Sequence, residues 1–303
     1  MKIICLILFF AQPLLCYELP AVNLGYTSFL DGGPIESAPG WYWQQYFQYY
    51  NTPDYFNTSE QYWPCSNRIK YNEFLTLFQL YYEFGTSVPF LNARPGFLFQ
   101  VPVTFHAKFS KNTCDIRAGG SGWSDITLGL YFQWQPIMYN GRPLIINRVD
   151  FDITFPTGYY KKNAFLSPSD NLIVINPYWA ASLFITEKLV ADWRIHYLWC
   201  SQRSSDRIQP GQAFHANHSV GYYVTPRLFA GINGYWLWQF TNDRWYAKEI
   251  PHSRERVIAL GPGALYALVK NYDVIIFANL YFEAYTRNRP QGTRAFVRLL
   301  VHF

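Results

Sequence analysis

Every second residue from Ala295 to Phe303, at the end of the chain, is apolar. This apolar set comprises Ala295, Val297, Leu299, Val301 and Phe303. The set between them carries three basic residues, which are Arg294, Arg298 and His302. Because side chains alternate faces along a strand, residues 293–303 are predicted to form a strand with one apolar and one mostly cationic face. Alone, this strand fits either a lipid-crossing barrel, with Phe303 as its assembly signal, or the edge of a soluble sandwich.

About twelve such segments, each about 10–15 residues long and rich in aromatic and β-branched residues, predict strands along the chain. They span residues 41–51, 70–83, 96–109, 123–135, 144–155, 171–186, 189–200, 212–225, 227–241, 255–268, 273–286 and 293–303.

The connections between these segments alternate in length. Long gaps such as 52–69 and 201–211 alternate with tight ones such as 187–188 and the single Pro226. Outer-membrane barrels alternate long outer loops with short periplasmic turns in this way, and an even strand number places both ends of the barrel on the periplasmic side. A soluble sandwich gives no reason for the alternation. Residues 41–303 are therefore predicted to form a transmembrane antiparallel up-and-down β-barrel, closed by pairing 293–303 with 41–51.

The polar face of these strands is predicted to line the lumen, because charges facing lipid cost a few kcal/mol each near the midplane. Both signs of charge occur on that face, which predicts a cross-linked polar wall rather than a strongly selective ion path. In that wall Arg294 and Arg298 are expected to lie beside acidic partners such as Glu283. Both faces of the first two strands are aromatic, so the sequence does not determine which face points into the lumen. The predicted lumen-lining residues, which form the candidate substrate path, are Arg148, Asp150, Asp152, Asp192, Arg194, His196, His215, Asn217, Asn233, Glu283, Arg294 and Arg298.

Composition supports β structure in a membrane. Half of the residues are hydrophobic, yet the mean hydropathy is only −0.10, and 20% of the residues are aromatic. Apolar runs are too short for a spanning helix, whereas Tyr and Trp suit membrane interfaces. The formal net charge of +5 is modest and scattered, so nucleic-acid binding is not expected.

The amino terminus indicates export. Residues 1–16 are predicted to be a signal peptide cleaved after Cys16, because Lys2 precedes a short apolar run and a polar break follows it. Acylation of Cys16 is a second reading, although Leu14 and Leu15 are larger than such a site prefers. The expected location is the outer membrane of a Gram-negative bacterium.

Residues 17–40 form an irregular segment in which Gly and Pro break both regular patterns. A barrel of about twelve strands encloses a lumen too wide for its wall side chains to fill, and this segment is available to plug it. Phe29, Leu30 and Asp31 are the candidate gate residues. The alternative is that the segment trails in the periplasm.

No convincing catalytic or metal-binding constellation is present, and no cofactor is expected. The Gly119–Gly122 stretch lacks the residues and spacing of a phosphate or nucleophile loop. His215 and His218 are three positions apart, so on a strand they point to opposite faces and share no ion. An enzyme is therefore not predicted.

Several motifs in the mature chain resemble the MetA-pathway of phenol degradation family. They are LGYTSFLDGGP at 24–34, NPYWAASLFIT at 176–186, WRIHYLW at 193–199, GQAFHAN at 211–217, GINGY at 231–235, GPGALY at 261–266 and NRPQGT at 288–293. The resemblance implies an outer-membrane transport barrel associated with uptake of aromatic or other hydrophobic compounds, and it brings no catalytic residues. Departures from the family are three mature cysteines and an aromatic first loop with Tyr55, Phe56, Tyr62 and Trp63.

Two of the cysteines, Cys65 and Cys114, fall in long loops on one side of the predicted barrel. We expect a disulfide between them and a free thiol at Cys200.

The predicted function is that of an outer-membrane channel for passive uptake of small hydrophobic or aromatic compounds. The alternative is a structural or surface-interaction protein with a closed lumen and ligand-binding outer loops. Expected partners are outer-membrane lipid, lipopolysaccharide, the barrel-assembly machinery and a small hydrophobic or aromatic solute.

Overall fold

A computed structural model of the protein describes residues 19–33, 38–56, 70–110, 118–162, 164, 166–269 and 272–303. Within these residues, twelve long antiparallel strands form a closed wall. They are β1 (Gly40–Phe56), β2 (Lys70–Glu83), β3 (Ala93–Ser110), β4 (Ile126–Trp134), β5 (Arg142–Phe155), β6 (Tyr178–Phe184), β7 (Leu189–Cys200), β8 (Ala213–Tyr223), β9 (Leu228–Gln239), β10 (Arg256–Ala267), β11 (Val274–Arg287) and β12 (Arg289–His302).

Six short strands accompany this wall. Gly122–Trp123 pairs with β3, Ile137–Tyr139 pairs with β5, and Val174–Ile175 continues β6 between β5 and β7. The other three, Ile208–Gln209, Arg244–Trp245 and Lys248–Glu249, form a small separate sheet in the loops. The described part of the chain contains no helix able to cross a membrane.

The predicted twelve-strand antiparallel barrel is confirmed, and its closing seam joins β1 to β12 as the sequence pattern indicated. Trp43 opposes Val301 in this seam, and Tyr46 opposes Arg298. At the end of the seam, Phe303 N donates to Trp41 O at 3.0 Å and Trp41 N donates to Phe303 O at 3.1 Å. Closure pairs the edges that an open sheet would leave facing lipid.

We call the end of the barrel that carries the short connections the turn end and the opposite end the loop end. The first residue of β1 and the last residue of β12 lie at the turn end. The predicted alternation of connection lengths fails once, because Asn288 alone joins β11 to β12 at the loop end, with a φ of 55°. Asn tolerates this left-handed conformation better than most residues, which permits so tight a turn.

Alternation along each strand separates an exposed apolar wall from a buried interior. Phe151 is 57% exposed, whereas Asp150 and Asp152 on either side of it are buried. The register also assigns the faces of β1 that the sequence left open, since its even positions point inward. These inward residues are Tyr42, Gln44, Tyr46, Gln48 and Tyr50.

We predict that deleting Phe303 impairs barrel assembly, because the seam loses two backbone hydrogen bonds, each contributing about 1 kcal/mol. Heat-modifiable gel mobility should show a smaller folded fraction and slower folding. Phe90→Ala provides the matched control, since Phe90 is a highly exposed phenylalanine in the turn between β2 and β3. Normal folding of the deletion variant would contradict an assembly role for the terminal residue.

Candidate functional site

Residues 19–33, which we call the N-terminal segment, run through the barrel interior from the loop end to the turn end. At the loop end, Leu19 N donates to Glu255 Oε1 at 2.9 Å, just before β10 begins. Near the turn end, Gly32 N donates to Ser182 Oγ of β6 at 2.9 Å, and Gly32 O accepts from Gln133 Nε2 of β4 at 3.1 Å. The segment therefore occupies the lumen over most of its length.

Asn217 on β8 holds the middle of the N-terminal segment. Its Oδ1 accepts from Gly25 N at 2.8 Å, while its Nδ2 donates to Asn23 Oδ1 at 2.8 Å and to Thr27 Oγ1 at 2.9 Å. Ser219, the next inward residue of β8, donates to Ser28 O at 3.0 Å. A segment without regular structure must find such partners, because a buried backbone polar group without one is costly.

An ion pair fixes the turn-end half of the segment. Arg194 on β7 donates to Asp31 through Nε at 3.1 Å and through Nη2 at 2.6 Å. The guanidinium carbon also lies 4.5 Å from the centroid of the Tyr178 ring. Both members of the pair are buried, and such bidentate charge-assisted bonds are among the strong ones.

The two apolar candidate gate residues, Phe29 and Leu30, pack into a hydrophobic cluster at the turn end. Phe29 is fully buried, and its ring centroid lies 5.1 Å from that of Phe229 on β9. Ile146, Phe184 and other inward residues near the turn end complete the cluster. Close packing also requires glycine at position 32, where a Cβ would overlap the backbone of Ile146 and Ser182. The N-terminal segment and the wall thus seal this side of the turn end.

A cavity of about 180 Å³ remains between the N-terminal segment and β1–β7. The segment contributes apolar residues to one side, among them Leu19, Pro20, Val22 and Leu24. The facing wall mixes phenol rings, amides and aliphatic groups from the first three strands. These wall residues include Tyr46, Gln48, Tyr50, Tyr71, Glu73, Leu75, Leu77, Gln79, Gln100 and Pro102.

Below this cavity, toward the turn end, lies the tyrosine cluster, which we define as Tyr42, Tyr81 and Tyr131. The Tyr42 and Tyr81 rings stack with centroids 4.7 Å apart, and the Tyr81 and Tyr131 centroids are 6.1 Å apart. Arg148 packs beside them, with its guanidinium carbon 4.6 Å from the Tyr131 centroid. Asp150 accepts from this guanidinium at 2.7 and 3.1 Å. All three rings are buried, so the turn end is closed on this side as well.

All of the sequence-predicted lumen residues are buried, but they do not form one path. Four of them border the cavity, and these are Asp152, Arg194, His196 and Arg294. The others contact the N-terminal segment, one another or further residues of the inner wall. Asp192 accepts from Ser182 Oγ at 2.5 Å, and Asn233 Nδ2 donates to Asn279 Oδ1 at 2.6 Å.

The predicted pairing of the last-strand arginines with acidic residues holds for one of the two. Arg294 Nε lies 3.4 Å from Glu283 Oε1, and Glu283 also accepts from Tyr50 OH at 2.8 Å. Arg298 instead places its guanidinium carbon 3.5 Å from the centroid of the Phe277 ring. The expectation that Arg298 lies beside an acidic partner is therefore wrong, because Arg298 makes a cation–π contact with Phe277 instead.

His196 and His215 face each other across β7 and β8, with ring centroids 4.2 Å apart. Within the described ranges, no group of three or more His, Cys, Asp and Glu residues is arranged to hold a metal ion. Cys200 is a buried free thiol. The expected Cys65–Cys114 disulfide lies outside the described residues, as does the expected signal peptide at 1–16.

Asp170 anchors the N-terminal segment at the loop end, where its Oδ2 accepts from Ala21 N at 3.3 Å. Burial, reinforced by the charge of nearby Asp125, raises the pKa of Asp170 from 3.8 to about 7. The same desolvation raises the pKa of Asp243, in the loop after β9, to about 6. Both carboxyls are easier to bury with a proton than without one.

We predict that barrel stability falls as pH rises from 3.8 to about 7 and that Asp170→Asn removes part of this dependence. A pKa raised on folding stabilises the folded state fully below 3.8, and this contribution is lost progressively until the carboxyl of the folded state has ionised, above about 7. Thermal unfolding of the barrel between pH 4 and 9 measures the effect. Glu187→Gln, which changes an exposed carboxylate in the turn between β6 and β7, is the control. An unchanged profile in Asp170→Asn would contradict the assignment.

Comparisons with known proteins agree with this architecture. The model of the MetA-pathway of phenol degradation family matches residues 67–299. The COG4313 outer membrane channel from Pseudomonas putida F1 has a TM-score of 0.76 at 17% identity, over 88% of this chain and 96% of that chain. The Ralstonia pickettii toluene transporter TbuX has a TM-score of 0.44 at 9% identity, over 89% and 91% of the two chains.

At 17% and 9% sequence identity, structural similarity is evidence of the fold only. The TM-score of 0.44 for the second protein is too low to support any conclusion. No curated protein matches the chain. The family resemblance found in the sequence motifs is confirmed. Because the family model covers most of the sequence, the protein belongs to the MetA-pathway of phenol degradation family.

Proposed function

We propose that the protein is an outer-membrane channel that admits small hydrophobic or aromatic molecules by passive diffusion. The observation that carries this proposal is the cavity between the N-terminal segment and β1–β7, whose lining extends to the loop residues Leu166, Ser167 and Pro168. Its volume of about 180 Å³ is of the order of a cavity that accepts benzene, about 150 Å³. No charge selection is needed for such cargo.

The chemistry of the cavity supports an aromatic or apolar solute. Tyr46 and Tyr50 line the wall side together with the aliphatic residues Leu75 and Leu77. Aromatic rings prefer offset or edge-to-face contacts with other rings, while tyrosine hydroxyls can bond a phenol-like oxygen. Interior charges are largely engaged with one another, as in the Arg148–Asp150 pair at 2.7 Å.

The N-terminal segment acts as the gate in this proposal. It fills the lumen, its Phe29 and Leu30 close the turn end, and Asp31 is held by Arg194. Release of this half of the segment would join the loop-end cavity to the turn end. Because the segment is held by side-chain contacts and has no strand pairing within the described residues, it can leave without breaking the wall.

The proposed location is the outer membrane of a Gram-negative bacterium, reached with an amino-terminal signal peptide and the barrel-assembly machinery. The exposed apolar wall supports contact with outer-membrane lipid. The protein is proposed not to be an enzyme. Among the described residues, buried polar groups of the interior bond one another or the N-terminal segment, as in the Arg148–Asp150 and Arg194–Asp31 pairs.

A closed structural barrel with ligand-binding loops is the second candidate. The sealed turn end favours it, and so do the exposed Trp245 and Tyr246 in the loops, whose ring centroids are 5.3 Å apart. Solute flux separates the two functions, because only the channel requires it.

We predict that deleting residues 17–38 raises single-channel conductance in planar bilayers several-fold, since the lumen loses its filling. Asp31→Asn should raise the frequency of opening, because it removes the charge partner of buried Arg194. Asp206→Asn, which breaks a loop ion pair with Arg203, serves as the control. Unchanged conductance in a folded deletion variant would reject the gate.

We also predict that liposomes containing the protein swell faster with phenol-like solutes than with sugars or charged solutes of similar size. The Leu75→Gln, Leu77→Gln double variant should slow the aromatic solutes several-fold, because it makes the cavity wall polar. Glycine flux provides the internal control for an intact pore. Absence of swelling with every solute, in both the full chain and the deletion variant, would favour the closed structural barrel.

A further inference from the structure

Two arginines stand directly opposite each other on the outer wall at the loop end. Arg256 begins β10 and Arg287 ends β11, and the two residues are register partners. Their neighbours Val257 and Thr286, also paired, are buried in the interior. Alternation along the strands therefore directs Arg256 and Arg287 away from the lumen.

This pair differs from most arginines of the interior, with Arg298 on the Phe277 ring as the exception. Each of Arg94, Arg148, Arg194, Arg289 and Arg294 has a carboxylate within 4.0 Å. By contrast, neither member of the outer pair has an ion-pair partner among the residues that the structure describes. Like charges directly opposite each other in a sheet are destabilising, so the pair is unfavourable without an anion.

Further details show that the two side chains are partly desolvated. The Nε atoms of Arg256 and Arg287 are buried without a hydrogen-bond acceptor. The Arg256 guanidinium carbon lies 5.6 Å from the ring centroid of Trp238, its register partner on β9. A guanidinium that stacks on an aromatic ring still offers its N–H groups at the edge, where a planar or tetrahedral anion can accept from them.

The position of the pair indicates the kind of anion. Below it, the outer wall is apolar and exposed, with Ile258 at 48%, Leu260 at 49% and Phe282 at 52%. Above it lie the loops, and Trp238, 54% exposed, lies at the boundary as aromatic residues of barrel girdles do. An anion at this level sits where lipid head groups meet the hydrocarbon, and its lipid chains can cover the apolar wall.

We propose that Arg256 and Arg287 form a phosphate-binding site for the lipid A part of lipopolysaccharide, with Trp238 packing beside it. The loop end faces outward in a barrel of this kind, and the phosphorylated lipid of that leaflet is lipopolysaccharide. Arginine binds phosphate bidentately, and one phosphate between the two guanidinium groups offsets their mutual repulsion. The proposal requires the outer-membrane location but not the transport of any solute.

The test compares two double variants that remove the same charge. Arg256→Gln with Arg287→Gln removes the site, while Arg244→Gln with Lys248→Gln removes two exposed cations from the small loop sheet. The full chain in detergent is titrated with bisphosphorylated lipid A, and native mass spectrometry gives the dissociation constant. We expect the site variant to bind about tenfold more weakly or worse, and the loop variant to change less than about twofold.

Three further ligands distinguish the possible sources of the phosphate. Dephosphorylated lipid A should bind the unaltered protein about as weakly as bisphosphorylated lipid A binds the site variant. Phosphatidylglycerol and inorganic phosphate should compete only at much higher concentration. Equal binding of dephosphorylated lipid A, equal competition by either of the other ligands, or equal loss in both double variants would overturn the proposal. Heat-modifiable mobility verifies that each variant is folded, and Arg256→Lys with Arg287→Lys, which keeps the charge, should retain intermediate affinity.

Discussion

The interior width of a twelve-strand barrel is the constraint on which the rest of this structure depends. Such a wall encloses more space than its own side chains fill, and the N-terminal segment supplies the missing contents. Because the segment has no regular structure, its backbone groups need partners, and Asn217, Ser182 and Glu255 provide them. The polar side chains on the inner face of β6–β8 thus provide the hydrogen bonds that hold the segment.

The fold follows from the sequence because it rests on local periodicity. In a strand of alternating polarity, the neighbours of a residue indicate which face it lies on. Phe151 lies between Asp150 and Asp152, and it faces outward while they face inward. The interior contacts are a different matter. Arg194 and Asp31 are separated by 163 positions, so their pairing is set by the curvature of the wall and the path of the segment. No local pattern contains that information.

The cavity wall is the part that sequence reasoning missed. Tyrosine and other aromatics occupy both faces of β1, which conceals the alternation of Gln44, Tyr46, Gln48 and Tyr50. The signal is nevertheless present, because glutamine recurs on this face between the tyrosines. Only the pairing of β1 with β12, in which Tyr46 opposes Arg298, fixes which face looks inward. The interior therefore combines self-paired charges with a separate surface of rings and amides, and these two surfaces have different physical roles.

Six residues, 34–39, connect the N-terminal segment to β1. A segment that leaves the lumen consequently stays attached, at an effective concentration on the order of millimolar for so short a connection. Its return is a unimolecular event that does not depend on the amount of protein in the membrane. A molecule that binds in the space of the N-terminal segment competes with that segment. The apparent affinity of such a molecule is its intrinsic affinity multiplied by the fraction of time for which the segment is out of the lumen. Under the proposed gating, permeation through this barrel is coupled to a peptide equilibrium encoded in the same chain.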